Sequence, residues 1–513
     1  MLVHFCLAAI PLIVGFVAPD IIQTDPNYAI NGGFEEGLTG WTASGDVHID
    51  KTSPVEGAAS ARLGAGKASV SQRYKISGLR IMGFGAKAVF SNPSTQVKVH
   101  ARCFDAKNKL VMDLSAPFDT KNAATKKGAE AGLYFKTQGH TAYMIVSIEK
   151  EAGQSAIVDS AWIHDYDKNR EEHAPECDLD AYMHPVWEGT SIVDESVLLL
   201  SNDGLAPKGK LLYDPTRIVS VRDSTLRRNY KEGLDFTVKG NVIAALPGSS
   251  MPSLKDTDFP TTAFPWLSVA SKHLFVTYEH SAYWAGPVPT NQGSQLPRLT
   301  EKLRDKRPVT IVALGDSITL GIDTSGYRMK PPYMPTWPEL AVRQLKKNTR
   351  NDRITLYNAA LGGMTSEWGR DNAKDAVASL KPDLVLIAFG MNDFWSVSPD
   401  QFRNNVAETI KNVLKKTPKA EFVLVSSIRF DPAYTTDPMY IGHMTSYRQE
   451  LEKLAGNGIC LLDFTSLSDF LYKAKNAKDL LADPMHPDDF FARILAQFLV
   501  KTLTSSDIGK RVN

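Results

Sequence analysis

The chain has 513 residues, 43% hydrophobic and 22% charged, the make-up of ordinary folded protein and too long for a single core, so about three domains are expected. Lys and Arg (58) nearly cancel Asp and Glu (57). No net field is left to draw in nucleic acid or an anionic membrane, so a neutral or weakly charged substrate fits better.

Residues 2–18 are almost wholly apolar, and Pro19-Asp20 ends the run. Pro11 interrupts it and no second span follows. A secretory signal over 1–18 is therefore expected, in a secreted, periplasmic or cell-surface protein with no stable membrane span after its removal. No Lys or Arg precedes the run and no clean small-x-small cleavage site stands before Pro19, which keeps an uncleaved anchor or a misassigned start as alternatives. Cys6, Cys103, Cys177 and Cys460 are scattered without metal-ligand spacing, so neither a disulfide framework nor a zinc site is expected.

From Asn27 onward the chain is rich in Gly, Ser and Thr, with apolar residues alternating in stretches such as 97–103 and 142–148. That period of two predicts antiparallel strands and a β-sandwich over 27–165. The opening phrase, Asn31-Gly-Gly-Phe-Glu-Glu-Gly-Leu-Thr-Gly-Trp41, resembles the first strand and loop of carbohydrate-binding β-sandwich modules. The resemblance implies that Phe34 and Trp41 are core residues, and it leaves sugar binding open. Residues 166–186 read as a polar linker. Its His173, Glu176, Asp178, Asp180 and His184 predict a solvated connector rather than a metal site, since no pair of them has ligand spacing on a recognisable element.

A β-rich block follows over 187–287, with strand-like runs at 191–200, 218–221 and 236–238 between turn signals. The phrases Tyr230-Lys-Glu-Gly-Leu-Asp-Phe-Thr-Val238 and Val276-Thr-Tyr-Glu-His280 resemble the accessory β-domain that precedes the catalytic domain of some secreted esterases. Such a domain walls a substrate groove or spaces its neighbours.

Beyond the junction, from 305 to 513, strands and helices alternate. Apolar runs at 309–314, 354–357, 383–389, 421–427 and 459–462 are separated by amphipathic patterns, with Phe402, Val406, Ile410 and Val413 on one helical face and Phe491, Ile494, Leu495, Phe498 and Leu499 on another. Five such strands predict a parallel sheet with helices on both faces, and a site off the carboxyl ends of the strands. Polar residues gather at those ends: Gly315-Asp316-Ser317, a Gly-Gly turn at Gly363, Gly390-Met-Asn392-Asp393 and, before the last helix, Asp483-Pro-Met-His486.

In this order the four clusters are similar to the signature blocks of the SGNH (GDSL) hydrolases, and the likeness covers about 308–505. It implies a flavodoxin-like α/β domain, preceded here by the two β-sandwich-like domains, and a serine esterase. Ser317 would be the nucleophile, His486 its base and Asp483 the residue that holds the imidazole tautomer. The Ser317 and Gly363 N–H groups with the Asn392 amide would receive the oxyanion, with no metal and no cofactor. Asp316 takes a structural hydrogen-bonding role by the same resemblance, and it stands with Tyr327, Trp337, Trp395 and His443 among the residues expected near the substrate. The expected partner is an acylated polysaccharide or oligosaccharide losing acetyl groups. Alternatives are a general carboxylesterase, a lysophospholipase-like or thioester hydrolase, and a glycan-binding protein with a vestigial hydrolase domain.

Overall fold

A computed structural model describes residues 27–504 except 77, 93, 119–122, 126, 127, 172, 203, 204 and 263–267. The expected signal at 1–18 lies outside the described residues. The chain divides into two compact units, one ending at Glu172 and the other beginning at His173.

In the first unit, eight described strands between Thr42 and Asp165 pair in one hydrogen-bonded network. The long strand Ser60–Lys75 joins its two halves. Residues 61–63 pair with Ala156–Asp165, whereas residues 68–75 pair with Thr141–Ala152, so this one strand is hydrogen-bonded into both halves. Alternate residues point inward, and Leu63, Val70, Phe84, Val99, Val146, Val158 and Ile163 form a common core. Phe34 and Trp41 belong to that core, with ring centroids 5.2 Å apart, so neither offers a sugar platform.

In the second unit the parallel sheet has the order Ile354–Asn358, Val309–Gly315, Leu384–Ala388, Glu421–Ser426, Ile459–Asp463 among the described residues, and every neighbouring pair is parallel. Helix Trp337–Thr349 packs on the final helix Asp489–Leu503, while Ser366–Asn372 and Pro438–Glu452 both pack on Pro399–Leu414. The middle strands are apolar at nearly every position because both of their faces are covered.

The β-rich block packs directly on this fold. Its strands Asn229–Tyr230, Pro215–Asp223, Leu274–His280 and Ser191–Val197 form an antiparallel sheet, and Ser191–Val197 lies against the final helix. That helix is therefore enclosed on all sides, which explains why Arg493 and Gln497 are buried along it. Buried polar groups need partners, and these find theirs across the contact. Arg493 donates to Val193 O and Asp194 O, Gln497 Nε2 donates to Tyr182 O and His184 O at 2.7 and 2.9 Å, and Trp187 stands edge-on to Phe498. The linker contains the short helices Tyr166–Glu171 and Leu179–Tyr182. Asp178 caps the second, Glu176 pairs with Arg227, and Asp180 pairs with Lys347. Cys103, Cys177 and Cys460 are free, and burial pushes each thiol up to about 12.

Candidate active site

The central strand Val309–Gly315 ends where the chain must turn hard against its neighbour. A Cβ on Gly315 would stand 2.4 Å from Ala388 O and 2.5 Å from Thr319 Oγ1, so glycine alone fits. Asp316 then caps the four-residue helix Ser317–Leu320, its carboxylate accepting from Ile318 N at 3.0 Å. Ser317 sits at the first helical position, where its N–H has no carbonyl of an earlier turn to meet.

The last cluster is a tight loop. Ala482 N donates to His486 O at 2.9 Å, and Asp483 Oδ1 accepts from Met485 N and His486 N at 2.8 and 2.9 Å. These bonds fix the carboxylate, and Asp483 Oδ2 lies 2.7 Å from His486 Nδ1. On the other side of the ring, His486 Nε2 lies 2.7 Å from Ser317 Oγ. The geometry suits one tautomer: Nδ1–H donates to Asp483, and Nε2 accepts from the serine hydroxyl. Burial works against the charged imidazolium, but the Asp483 carboxylate, backed by Asp323 and Asp316, outweighs it and pushes His486 up to about 9. Asp316 is pushed up to about 7, mainly by burial.

The turn after Ile354–Asn358 puts Gly363 at φ +77°, with nothing within 4 Å of where a Cβ would stand. Asn392 follows strand Leu384–Ala388, and its Nδ2 donates to Met364 O at 3.0 Å, tying the two loops together. Asp393 reinforces the tie. Its buried carboxylate accepts from Ser366 N at 2.9 Å, from Ser366 Oγ and from Gly390 N, and burial pushes it up to about 6.

Two of the expected substrate contacts are placed elsewhere. Trp337 is 1% exposed, and its indole donates to Ile318 O at 3.0 Å, so it braces the helix Ser317–Leu320 from within the core. Asp316 is spent on the cap and is equally enclosed. Tyr327 is half-buried. His443 lies inside helix Pro438–Glu452, with Nδ1 3.0 Å from Phe394 O. Trp395 is 40% exposed and packs on Phe394, Tyr434 and Tyr440, its ring centroid 4.7 Å from that of Tyr440. The loop that carries Tyr434 meets the His486 loop, because Asp431 N donates to Pro484 O at 2.7 Å.

Sequence reasoning missed three features here. One is Asp323, a buried acid in the loop just after the nucleophile helix. Another is the Asp393–Ser366 tie, for which the Asn-Asp pair was a usable signal. The last is a clamp on the approach to the Asp483–His486 loop. Lys475 pairs with Glu195 at 2.5 Å and donates to Ser196 O at 2.6 Å, Ser196 Oγ donates to Asp479 O at 2.6 Å, and Leu198 N donates to Asp479 Oδ1 at 2.8 Å. Val269 N adds a bond to Ala482 O at 2.7 Å, one residue before Asp483. The β-rich block is thus a structural support of the segment that presents Asp483 and His486.

A serine, a histidine and an aspartate in one hydrogen-bonded relay at the carboxyl edge of a parallel sheet are the parts of a serine hydrolase. Residues 313–493 match the model of the GDSL-like Lipase/Acylhydrolase family. Esterase TesA of Pseudomonas aeruginosa is 31% identical over 135 residues, 26% of this chain and 59% of that protein. The chain thus spans about three fifths of that relative's length. Two similar solved structures are a catalytic mutant of an acetylxylan esterase from Geobacillus stearothermophilus and a two-domain esterase active on acetylated mannans. The first is 19% identical, with 39% of this chain and 97% of that one covered and a TM-score of 0.33. The second is 19% identical, with 42% and 56% covered and a TM-score of 0.35.

Proposed function

We propose that the protein is a carboxylic ester hydrolase that removes short acyl groups, acetyl foremost, from a carbohydrate through an acyl-enzyme. The observation that carries this reading is the unbroken relay Ser317 Oγ, His486 Nε2, His486 Nδ1, Asp483 Oδ2, with both contacts at 2.7 Å. In the first step Ser317 Oγ attacks the acyl carbon and its proton passes to His486 Nε2. The carbonyl π electrons move onto oxygen, which the N–H groups of Ser317 and Gly363 and the Asn392 amide receive. The imidazolium then returns the proton to the departing alkoxide as the tetrahedral intermediate collapses to the Ser317 ester. Water repeats the sequence, losing its proton to His486 as it attacks, and releases the carboxylic acid with Ser317 restored.

The strand order of the parallel sheet supports reading the domain as flavodoxin-like, with the ligand crevice where the order reverses beside the Ser317 strand. A carbohydrate alcohol is favoured by the exposed Trp395 face and its Tyr434 and Tyr440 supports, since flat aromatic surfaces match the apolar faces of sugar rings. We assign the first unit a role in holding the glycan and the apolar 2–18 stretch a role in export; sequencing the mature amino terminus tests the latter. Ser317→Ala is expected to abolish hydrolysis of 4-nitrophenyl acetate while leaving the melting temperature unchanged, and undiminished turnover would overturn the assignment. Among 4-nitrophenyl esters, turnover is expected to drop steeply beyond short chains, whereas a preference for long chains favours the lysophospholipase-like reading.

A further inference from the structure

The relay does not use every buried acid beside it. Asp323 follows the nucleophile helix in a turn tied back to it, with Gly321 N and Ile322 N both donating to Ser317 O, at 3.0 and 3.1 Å. Its backbone has φ +76°, a left-handed conformation that L residues other than asparagine and aspartate seldom adopt. Its side chain is wholly buried. Oδ1 accepts from Arg328 Nη1, while Oδ2 accepts no hydrogen bond among the described residues and lies 3.7 Å from His486 Nδ1. Fold stability alone gives no reason to aim an unsatisfied carboxylate oxygen at the imidazole that must become charged.

We propose that Asp323 is a positioning residue acting through His486: a second carboxylate, beside Asp483, that holds the imidazolium formed during acyl transfer. The inference rests on the reading of Ser317 and His486 given above. When Nε2 takes the serine proton, the positive charge spreads to the Nδ1 side of the ring, where Asp483 is hydrogen-bonded and Asp323 stands just outside hydrogen-bond reach. The groups facing His486 are Asp483 on its own loop, Asp323 on the turn after the Ser317 helix, with Arg328 paired to it, and Asp316 and Ser317 at the sheet edge. Tyr434 faces Asp483 from the loop after the fourth strand. Burial, foremost, and the Asp483 charge push Asp323 upward, and Arg328 pulls it back. Asp323, Asp483 and His486 also lie close enough for a cation, with ligand atoms within 4.8 Å of one another, but both ring nitrogens are already engaged by Asp483 and Ser317.

The test is the pH profile of kcat/KM for 4-nitrophenyl acetate in the full chain. Asp323→Asn keeps the volume and tolerates a positive φ; Asp323→Gly removes the side chain and also accepts the positive φ. Each is expected to move the acid limb to lower pH by about one unit, the usual scale for an opposite charge at this range, with the plateau rate reduced. A purely structural Asp323 would lower the plateau and leave the limb in place. An unmoved limb in either variant that melts cooperatively overturns the proposal. Because Ser317→Ala is assayed alongside, loss of activity there with an unmoved limb here defeats this inference alone, whereas retained activity there defeats the reading on which it rests.

Discussion

The replacement Lys475→Met probes whether the β-rich block holds the catalytic loop. Lys475 and Glu195 are both fully buried, so removing the ammonium leaves a carboxylate with no water to turn to. Truncating one partner of a buried pair costs about 3–5 kcal/mol. Glu195 keeps two hydrogen bonds, from Leu212 N at 2.8 Å and Tyr278 OH at 2.6 Å, which favours the lower end of that range, about 3 kcal/mol. A unit of roughly 340 residues unfolds with an entropy of about 0.7 kcal/mol/K, so the melting temperature should fall by about 4 °C. Lys475 lies eight residues before Asp483 and also holds Ser196 O, so kcat/KM for an acetyl ester should fall as well, measured well below the melting temperature. The partner change Glu195→Gln in the same chain should recover part of the stability, because it removes the stranded charge. Scanning calorimetry on the three proteins, with kinetics at 25 °C, reads both effects. An unchanged melting temperature and unchanged kcat/KM for Lys475→Met would refute the clamp.

Two further outcomes follow from the site. On the proposed oxyanion role, Asn392→Ala should lower kcat by about 10²–10³ with KM little changed, the effect of losing a donor to charge that develops in the transition state; a loss under tenfold by stopped assay would remove Asn392 from the oxyanion site. Buried acids set the pH dependence of stability. Asp316, Asp488 and Asp489, each pushed up to about 7, and Asp393 and Asp479, each to about 6, hold protons in the folded state that the unfolded chain releases near 4. Their contribution is complete below about pH 4 and is lost as pH rises through 6 to 7, while that of His486, raised to about 9, is complete below about 6.5 and is lost as pH rises through 9. The second unit should therefore melt at a higher temperature at pH 5 than at pH 8, and a rise in melting temperature over that interval would contradict the assignment.

Local signals carried the sequence reading far at the sheet and less far around it. The apolar runs read at 309–314, 354–357 and 421–427 coincide with strands 309–315, 354–358 and 421–426, because a buried strand needs little beyond its own hydrophobicity to be visible. The clusters at Ser317, Gly363, Asn392 and His486 were legible for a related reason: glycines and polar residues interrupt those runs where the chain turns. Trp337 could be read either as a substrate contact or as the core anchor of a helix, because an aromatic beside a loop looks the same whether it faces solvent or core. The adjacent Thr336 and Glu339, a capping box, mark it as the first residue of a helix whose inner face is buried. Glu195 and Lys475 lie 280 residues apart, and neither stands in a pattern that names the other, so the clamp was invisible before folding. Asp323 escaped notice for the opposite reason: it sits near Ser317, in a stretch where an acid in a turn attracts no attention until its carboxylate is found facing an imidazole.

The central claim is that Ser317 is an activated nucleophile. Treating the full-length protein with a fluorophosphonate and mapping the adduct by mass spectrometry tests it without knowledge of the natural ester. The account predicts one stoichiometric adduct, on Ser317, formed far more slowly in His486→Ala and absent from Ser317→Ala. An unlabelled Ser317, or an adduct formed at the same rate without His486, would contradict it.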